Sequence, residues 1–304
     1  MLPLTLGRWT VRAVETGYLG LDGGSMFGSV PKPLWSRLQP PDELNRIRLA
    51  MRCMLLEGEG RRILVDDGIG DKFSARLADI YAVDHGTHTL ERSLAALGLE
   101  VGDITDVILT HLHFDHAGGS TRRENGSLVP RLPRARYYVQ RRNWENALAP
   151  NPRERASYLL ENFQPLMDAG VVTLWEGATR PWPDVEILTV DGHTRGQQLV
   201  RVAGPQGVLY YVADLIPTSS HVRIPFVMGY DMAAIETMQE KAGLLAQAVS
   251  EGAWILLEHD PLIALARPAA EGEDFTWAEK LPAADTATGG AGASVGGAGA
   301  AAPR

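Results

Sequence analysis

Cysteine is almost absent: Cys53 is the only one in 304 residues, so no intrachain disulfide can staple the fold. It lies in the apolar run Met51 to Leu56 and reads as a buried small hydrophobe rather than a nucleophile. Long apolar runs are missing too. No stretch is long enough to span a bilayer. Met1 to Val14 shows no basic segment followed by an apolar one of the kind that directs export. The expected location is therefore the cytoplasm, with no membrane partner. Positive charge is in deficit: 29 Lys and Arg stand against 37 Asp and Glu, a net charge of −8. Nucleic-acid binding needs a basic face, so that class of partner is not expected. Large side chains fade out after Pro282. Residues 283–304 are almost entirely Ala, Gly, Ser, Thr and Pro. Such a segment cannot offset its ordering entropy by burial and reads as a disordered tail. No repeat and no linker divides residues 1–282, which read as one domain.

What is present is ordinary globular composition, with 45% hydrophobic residues, enough to bury a core without staples. Short runs rich in β-branched and aromatic residues read as strands: Arg62 to Val65, Val107 to Thr110, Arg136 to Val139, Val185 to Leu188, Gln198 to Val202, Val208 to Val212 and Trp254 to Leu257. Leu90, Leu94 and Leu97 repeat at helical spacing behind a Thr89 cap, with Gly98 beyond the end. A longer helix is expected after Asp231, with Ile235, Met238, Ala242, Leu245 and Val249 on its buried face and Gly252 past its end. Asn151-Pro152 fits another helix start, with Pro165 kinking or ending that helix. Strands and helices mixed in this way imply a layered α/β architecture.

Four of these runs lead straight into residues of metal-ligand type. The first reaches His111, His113, Asp115 and His116. The others reach His193, Asp214 and His259. Active sites on α/β sheets gather at strand ends and their loops, so these seven side chains can converge on one edge. Imidazoles and carboxylates suit Zn²⁺ and similar divalent ions, with Co²⁺, Mn²⁺ or Fe²⁺ as alternatives. The run His111-Leu112-His113-Phe114-Asp115-His116 is too compact to serve one tetrahedral ion. An extended segment would send His111 and His113 to one ion and let Asp115 and His116 turn toward a second. Taken alone, Asp214 could equally be a cap or turn residue, and His193 and His259 could be ordinary loop histidines. His85 and His88 match no pattern.

The pattern His111-x-His113-x-Asp115-His116 resembles the signature of the metallo-β-lactamase superfamily. Asp66 in Leu64-Val65-Asp66-Asp67-Gly68, then His193, Asp214 and His259, follow in the family's order. The resemblance implies an αββα sandwich, two mixed sheets flanked by helices, and a catalytic domain over residues 1–282. It implies two divalent ions per chain. One would be held by His111, His113 and His193, the other by Asp115, His116 and His259. Asp214 would bridge them and Asp66 would orient ligands from behind.

The segments Asp22 to Gly28, Val30 to Trp35 and Asp214 to His221 look like the branch that contains the quorum-quenching N-acyl-homoserine lactonases, which adjoins methyl-parathion-type hydrolases. The implied reaction is the opening of a lactone by a hydroxide bridging the metals, with Asp115 passing a proton to the leaving alkoxide. The implied partner is a small lactone or ester; a homodimer stays open. Met26, Phe27, Trp35, Phe226, Met228 and Tyr230 are candidates for an apolar substrate pocket, with an ordinary core role as the alternative for each. There are two departures from the family. Pro217 stands where such lactonases carry a tyrosine that contacts the substrate carbonyl, which leaves the metals, His221 or Tyr230 to stabilise the oxyanion. Asp67 stands where the family has threonine. An arylesterase or phosphotriesterase, a glyoxalase II-like thioesterase and a non-catalytic metal-binding scaffold remain as alternatives.

Overall fold

The computed structural model describes residues 3–283. The segment expected to be a tail, 283–304, therefore lies outside the described residues, apart from Ala283. That residue is buried, and its N–H donates to the Leu262 carbonyl at 2.8 Å.

The first sheet begins with β1 (Leu4–Leu6), β2 (Trp9–Asp22), β3 (Arg46–Gly58), β4 (Arg61–Val65) and β5 (Asp106–Ile108). A separate hairpin follows, β6 (Thr121–Glu124) and β7 (Ser127–Pro130). Then β8 (Arg136–Gln140) and β9 (Val172–Trp175) complete the first sheet in the order β1-β2-β3-β4-β5-β8-β9. The second sheet runs in chain order through β10 (Thr179–Trp182), β11 (Val185–Val190), β12 (Gln197–Gly204), β13 (Gly207–Tyr211), β14 (Trp254–Leu256), β15 (Ile263–Glu271) and β16 (Asp274–Pro282). Both sheets are mixed. The pairs β4–β5, β5–β8, β8–β9 and β13–β14 are parallel and the rest antiparallel.

Period-two alternation assigns the faces. Met54 and Leu56 of β3 and Ile63 and Val65 of β4 meet Val200 and Val202 of β12 and Leu209 and Tyr211 of β13 between the sheets. Their neighbours Cys53, Leu55 and Leu64 point the other way, onto α4 (Leu90–Ala96), α6 (Arg141–Leu148) and α7 (Leu160–Asp168), introduced in chain order after α1 (Gly23–Phe27), α2 (Lys32–Trp35), α3 (Ala75–Ile80) and α5 (Phe114–Ala117). Leu199, Tyr210 and Ile255 of the second sheet pack under α8 (Ala234–Glu251). Helix, sheet, sheet, helix: this is the αββα sandwich that was expected.

The expected strands are present, and α4 starts at its Thr89 cap, whose hydroxyl accepts from the Arg92 N–H. Two expectations need correction, and a third point is an omission. First, the buried face of α8 carries Thr237, Lys241, Leu244, Leu245 and Ala248, while Ile235 is exposed. A buried lysine broke the apolar pattern, so the stripe read from sequence was rotated. Second, Asn151-Pro152 opens a turn, and α7 begins only at Leu160, with Pro165 inside it. Third, the longest strands, β2 and β3, were not legible. A bulge between Glu15 and Tyr18 breaks the alternation of β2, where Gly17 takes φ +128°. The middle of β3, from Leu49 to Leu56, is buried on both faces, so it has no alternation to read.

Candidate metal centre

The C-terminal ends of β4, β5, β11, β13 and β14 open on one edge of the sandwich, and the loops that follow carry Asp66, the His111–His116 run, His193, Asp214 and His259. Two of these loops begin with backbone strain. Asp66 (φ +58°) and Ala213 (φ +43°) are left-handed non-glycine residues, a conformation held only where the surroundings enforce it. A Cβ on Gly192 would collide with the Thr237 backbone, so only glycine lets the His193 loop run against the start of α8.

The compact run divides between two groups of ligand atoms. His113 is extended, at φ −64°, ψ 154°, and at Phe114 the backbone enters the single turn of α5. His111 and His113 therefore face one way and Asp115 and His116 another. His111 Nε2 lies 3.0 Å from His113 Nδ1. His193 Nε2 lies 3.3 Å from that Nδ1 and 3.1 Å from Asp214 Oδ2. On the other side, Asp214 Oδ1 lies 3.0 Å from His259 Nε2 and 3.6 Å from His116 Nε2. Asp115 Oδ2 is 3.7 Å from His259 Nε2 and 3.8 Å from His116 Nε2. One group, His111, His113, His193 and Asp214, has its ligand atoms within 4.8 Å of one another, and so does a second, Asp115, His116 and His259. Asp214 turns one oxygen to each.

The outward ring nitrogens show what this cluster is suited to hold. His259 Nδ1 faces the Ala50 carbonyl at 2.7 Å, His193 Nδ1 faces Asp231 Oδ1 at 2.9 Å and His116 Nδ1 faces Asp66 Oδ2 at 3.1 Å. His113 Nε2 faces Glu154 Oε1 at 3.3 Å. The Thr110 hydroxyl donates to Asp66 Oδ2 and accepts from His111 Nδ1 at 3.1 Å. Every outward nitrogen meets an acceptor, so each ring in its neutral form donates outward and turns a lone pair inward. Five such lone pairs converge with the carboxylates of Asp115 and Asp214 in a buried space. Only cations can satisfy that set, and it fits divalent metal ions.

Without metal ions, protons take up part of that set. Burial, then the neighbouring imidazoles, holds His111 well below the ordinary histidine range, and burial also lowers His113. Burial works against charge at His193 and His259 as well, but Asp214 outweighs it and raises them to about 10 and about 9. Asp214 itself is held well below the usual carboxylate range: burial opposes this, and His116, His193 and His259 overcome it.

A cavity of about 290 Å³ opens onto the cluster and is lined by Met26, Met228 and Tyr230 together with Tyr81, Phe114 and Arg153. The pocket candidates split here. Phe27 and Trp35 are buried in the cluster behind the cavity and stack on each other at 5.4 Å. Phe226 lines a different and larger cavity of about 1050 Å³, together with Arg48 and Trp277. His221 does not reach the metal cavity: its Nδ1 is 2.7 Å from Thr218 Oγ1 and its Nε2 is 2.8 Å from the Met26 carbonyl. With both nitrogens engaged, it ties two loops together. Pro217 has its own task, because its carbonyl accepts the His259 N–H at 3.1 Å.

Sequence reading missed Glu154, Asp231 and Glu258, which lies 3.2 Å from His116 Nδ1. Glu258 was in view beside His259. Glu154 and Asp231 act across the fold, and no local spacing marks them.

Residues 51–259 match the model of the metallo-beta-lactamase superfamily. The chain belongs to that superfamily and is a metal-dependent hydrolase. It is 28% identical to an N-acyl homoserine lactonase of Bacillus thuringiensis over 67% of this chain and 80% of that one. It is 27% identical to the N-acyl homoserine lactonase AttM of Azorhizobium caulinodans over 55% of this chain, and there the match spans only 62% of the relative's length. Among solved structures, a probable metal-dependent hydrolase from Staphylococcus aureus superposes with a TM-score of 0.85 at 26% identity, covering 92% of this chain and 99% of that one.

Proposed function

We propose that the chain is a dinuclear lactonase that opens N-acyl-homoserine lactones or related rings, and so can quench quorum signals. The observation that carries the two-ion reading is the divided Asp214 carboxylate, one oxygen turned to each group; His111, His113 and His193 would hold one ion and Asp115, His116 and His259 the other. Zn²⁺ is the proposed metal, because the donors are neutral imidazoles and carboxylates. When bound, two such ions supply water activated near neutral pH and polarise a carbonyl oxygen. The chain's own residues do the rest. Asp66, Glu154, Asp231, the Thr110 hydroxyl and the Ala50 carbonyl fix the imidazoles, Met26, Met228 and Phe114 enclose the acyl part, and Asp115 faces the cavity. As water attacks and the ring C–O bond breaks, Asp115 passes the proton from water to the leaving alkoxide. Support for a lactone comes from the two lactonase relatives.

Pro217 favours keeping a second reading, an arylesterase or phosphotriesterase. We place the protein in the cytoplasm, with a small lactone or ester as its partner, a homodimer left open, and neither nucleic acid nor membrane involved. The test is elemental analysis followed by a turnover screen of lactones, aryl esters and phosphotriesters. The expected result is two metals per chain and fastest turnover on lactones. Saturation at one metal sinks the dinuclear assignment, and faster turnover of aryl esters or phosphotriesters sinks the lactonase one.

A further inference from the structure

Lys241 is wholly buried in the middle of α8. Its Nζ donates to three backbone carbonyls: Phe226 at 2.7 Å, Arg223 at 2.9 Å and His221 at 3.1 Å. Among the described residues no carboxylate pairs with it. A buried ammonium is costly unless its donors are satisfied, and here all three are. Arg52 does the same for the loop that carries His259. It too is wholly buried, and its Nη1 donates to the carbonyls of Leu257, Asp260 and Ile263 at 2.6, 3.0 and 3.2 Å. Arg52, however, also has a counterion, Glu15, at 2.5 Å.

The carbonyls that Lys241 gathers belong to the irregular segment between Asp214 and α8. That segment is the wall between two cavities. Ser219, Arg223 and Phe226 face the larger one, and Met228, Gly229 and Tyr230 face the metal centre. It ends at Asp231, which holds His193.

We infer that Lys241 is a positioning residue, whose ammonium gathers the 221–226 turn and so sets the wall of the substrate cavity. The inference takes the metal cavity as the substrate site. One of its readouts, proteolysis, does not depend on which substrate is used.

The charge is conditional. Burial lowers Lys241 to about 7, against the weaker pull of Asp231 and Asp274. The basic groups nearby are His221, itself lowered to about 4 chiefly by burial, and Arg223, whose side chain pairs outward with Glu271 at 3.1 Å. Because the folded value is depressed, the ammonium is present below about pH 7 and lost above it.

The Arg223–Ile224 peptide reports on the clip directly. Lys241 holds the Arg223 carbonyl, Asp274 Oδ1 accepts the Ile224 N–H at 2.8 Å, and the arginine side chain is exposed. The experiment measures tryptic cleavage after Arg223 relative to cleavage after Arg134, with KM, kcat and metal content, for wild type, Lys241→Gln and Lys241→Met. Lys241→Met should raise relative cleavage and KM about tenfold while kcat and metal content hold within about twofold; Lys241→Gln, which keeps N–H donors, should fall between. In the wild type, relative cleavage should climb as pH rises through 7, and in Lys241→Met it should be flat. If Lys241→Met does not fold, the Gln variant and the wild-type pH series decide. Unchanged cleavage in the variants, or a flat wild-type series, overturns the inference. A loss of kcat and metal at constant cleavage overturns it too, because Lys241 would then be acting on the metal centre rather than on the wall.

Discussion

The two sides of the reaction cavity are held in different ways. On the metal side, each imidazole has its own outward partner, and four of the five partners lie on another part of the fold: Asp66 for His116, Glu154 for His113, Asp231 for His193 and the Ala50 carbonyl for His259. Each partner fixes a tautomer, so the residue type matters at every position. On the substrate side, one lysine gathers main-chain carbonyls, and many side chains would serve in the wall as long as they fill it. The metal side is specified by chemistry and the wall by shape.

The sharpest way to break the comparison is at Asp214, where the metal side depends on one side chain. An amide offers one oxygen in place of two and carries no charge. Asp214→Asn should drop metal content from two to one or fewer. It should cut kcat by more than about 10³-fold, beyond the ~10²–10³ that a single lost oxyanion donor costs. Plasma emission analysis with steady-state kinetics checks both. A variant that keeps two metals and tenfold-reduced activity would show that Asp214 does not bridge.

That contrast also decides what could be read from sequence. The run His111 to His116 was legible because metal ligation demands particular residue types at fixed offsets, and strand ends delivered His193, Asp214 and His259 to the same edge. Glu154 was not legible: it reaches His113 from a turn that was expected to open a helix. The wall was misread for the opposite reason. Phe27, Trp35 and Phe226 are apolar residues near the site, but apolar character does not say on which side of a wall a ring falls. For the fold, runs such as Arg62 to Val65 were visible because their ends are clear. β3 was hidden by burial on both faces, and α8 was read with the wrong face because Lys241 occupies a core position.

A gentler probe of the metal side is pH. Against protons alone, Asp214 lifts His193 to about 10 and His259 to about 9, overcoming burial. Below those values a metal ion must displace protons to bind. Zn²⁺ affinity should therefore rise with pH, by about tenfold per unit for each proton displaced, and binding should release protons. Competition with a chromophoric chelator between pH 6 and 8 measures the slope, and calorimetry in buffers of different ionisation enthalpy counts the protons. A slope of zero would mean that the imidazoles are already unprotonated over this range, and that the carboxylates do not control them.

The smallest effect on the reaction is expected at His221, although it lies near the cavity in sequence and was a candidate for the oxyanion. Burial lowers it to about 4, so the ring is neutral near pH 7. The Met26 carbonyl can only accept, so Nε2 carries the hydrogen and donates to it at 2.8 Å. Nδ1 then accepts from the Thr218 hydroxyl at 2.7 Å. Phe27 stacks on the ring at 4.6 Å. No donor is left for a substrate. His221→Ala would strand two buried polar groups, each costing about 1–3 kcal/mol, and open a void beside Phe27. The melting temperature should fall by several degrees, at roughly 2–4 °C per kcal/mol for a domain of this size. The kcat of the folded variant should stay within about twofold, because the ring does not line the cavity and touches it only through the backbone of Met26. Calorimetry paired with kcat below the transition separates the two roles: a tenfold loss of kcat at an unchanged melting temperature would return His221 to the reaction, and a lower melting temperature at constant kcat would leave it as a clip between loops.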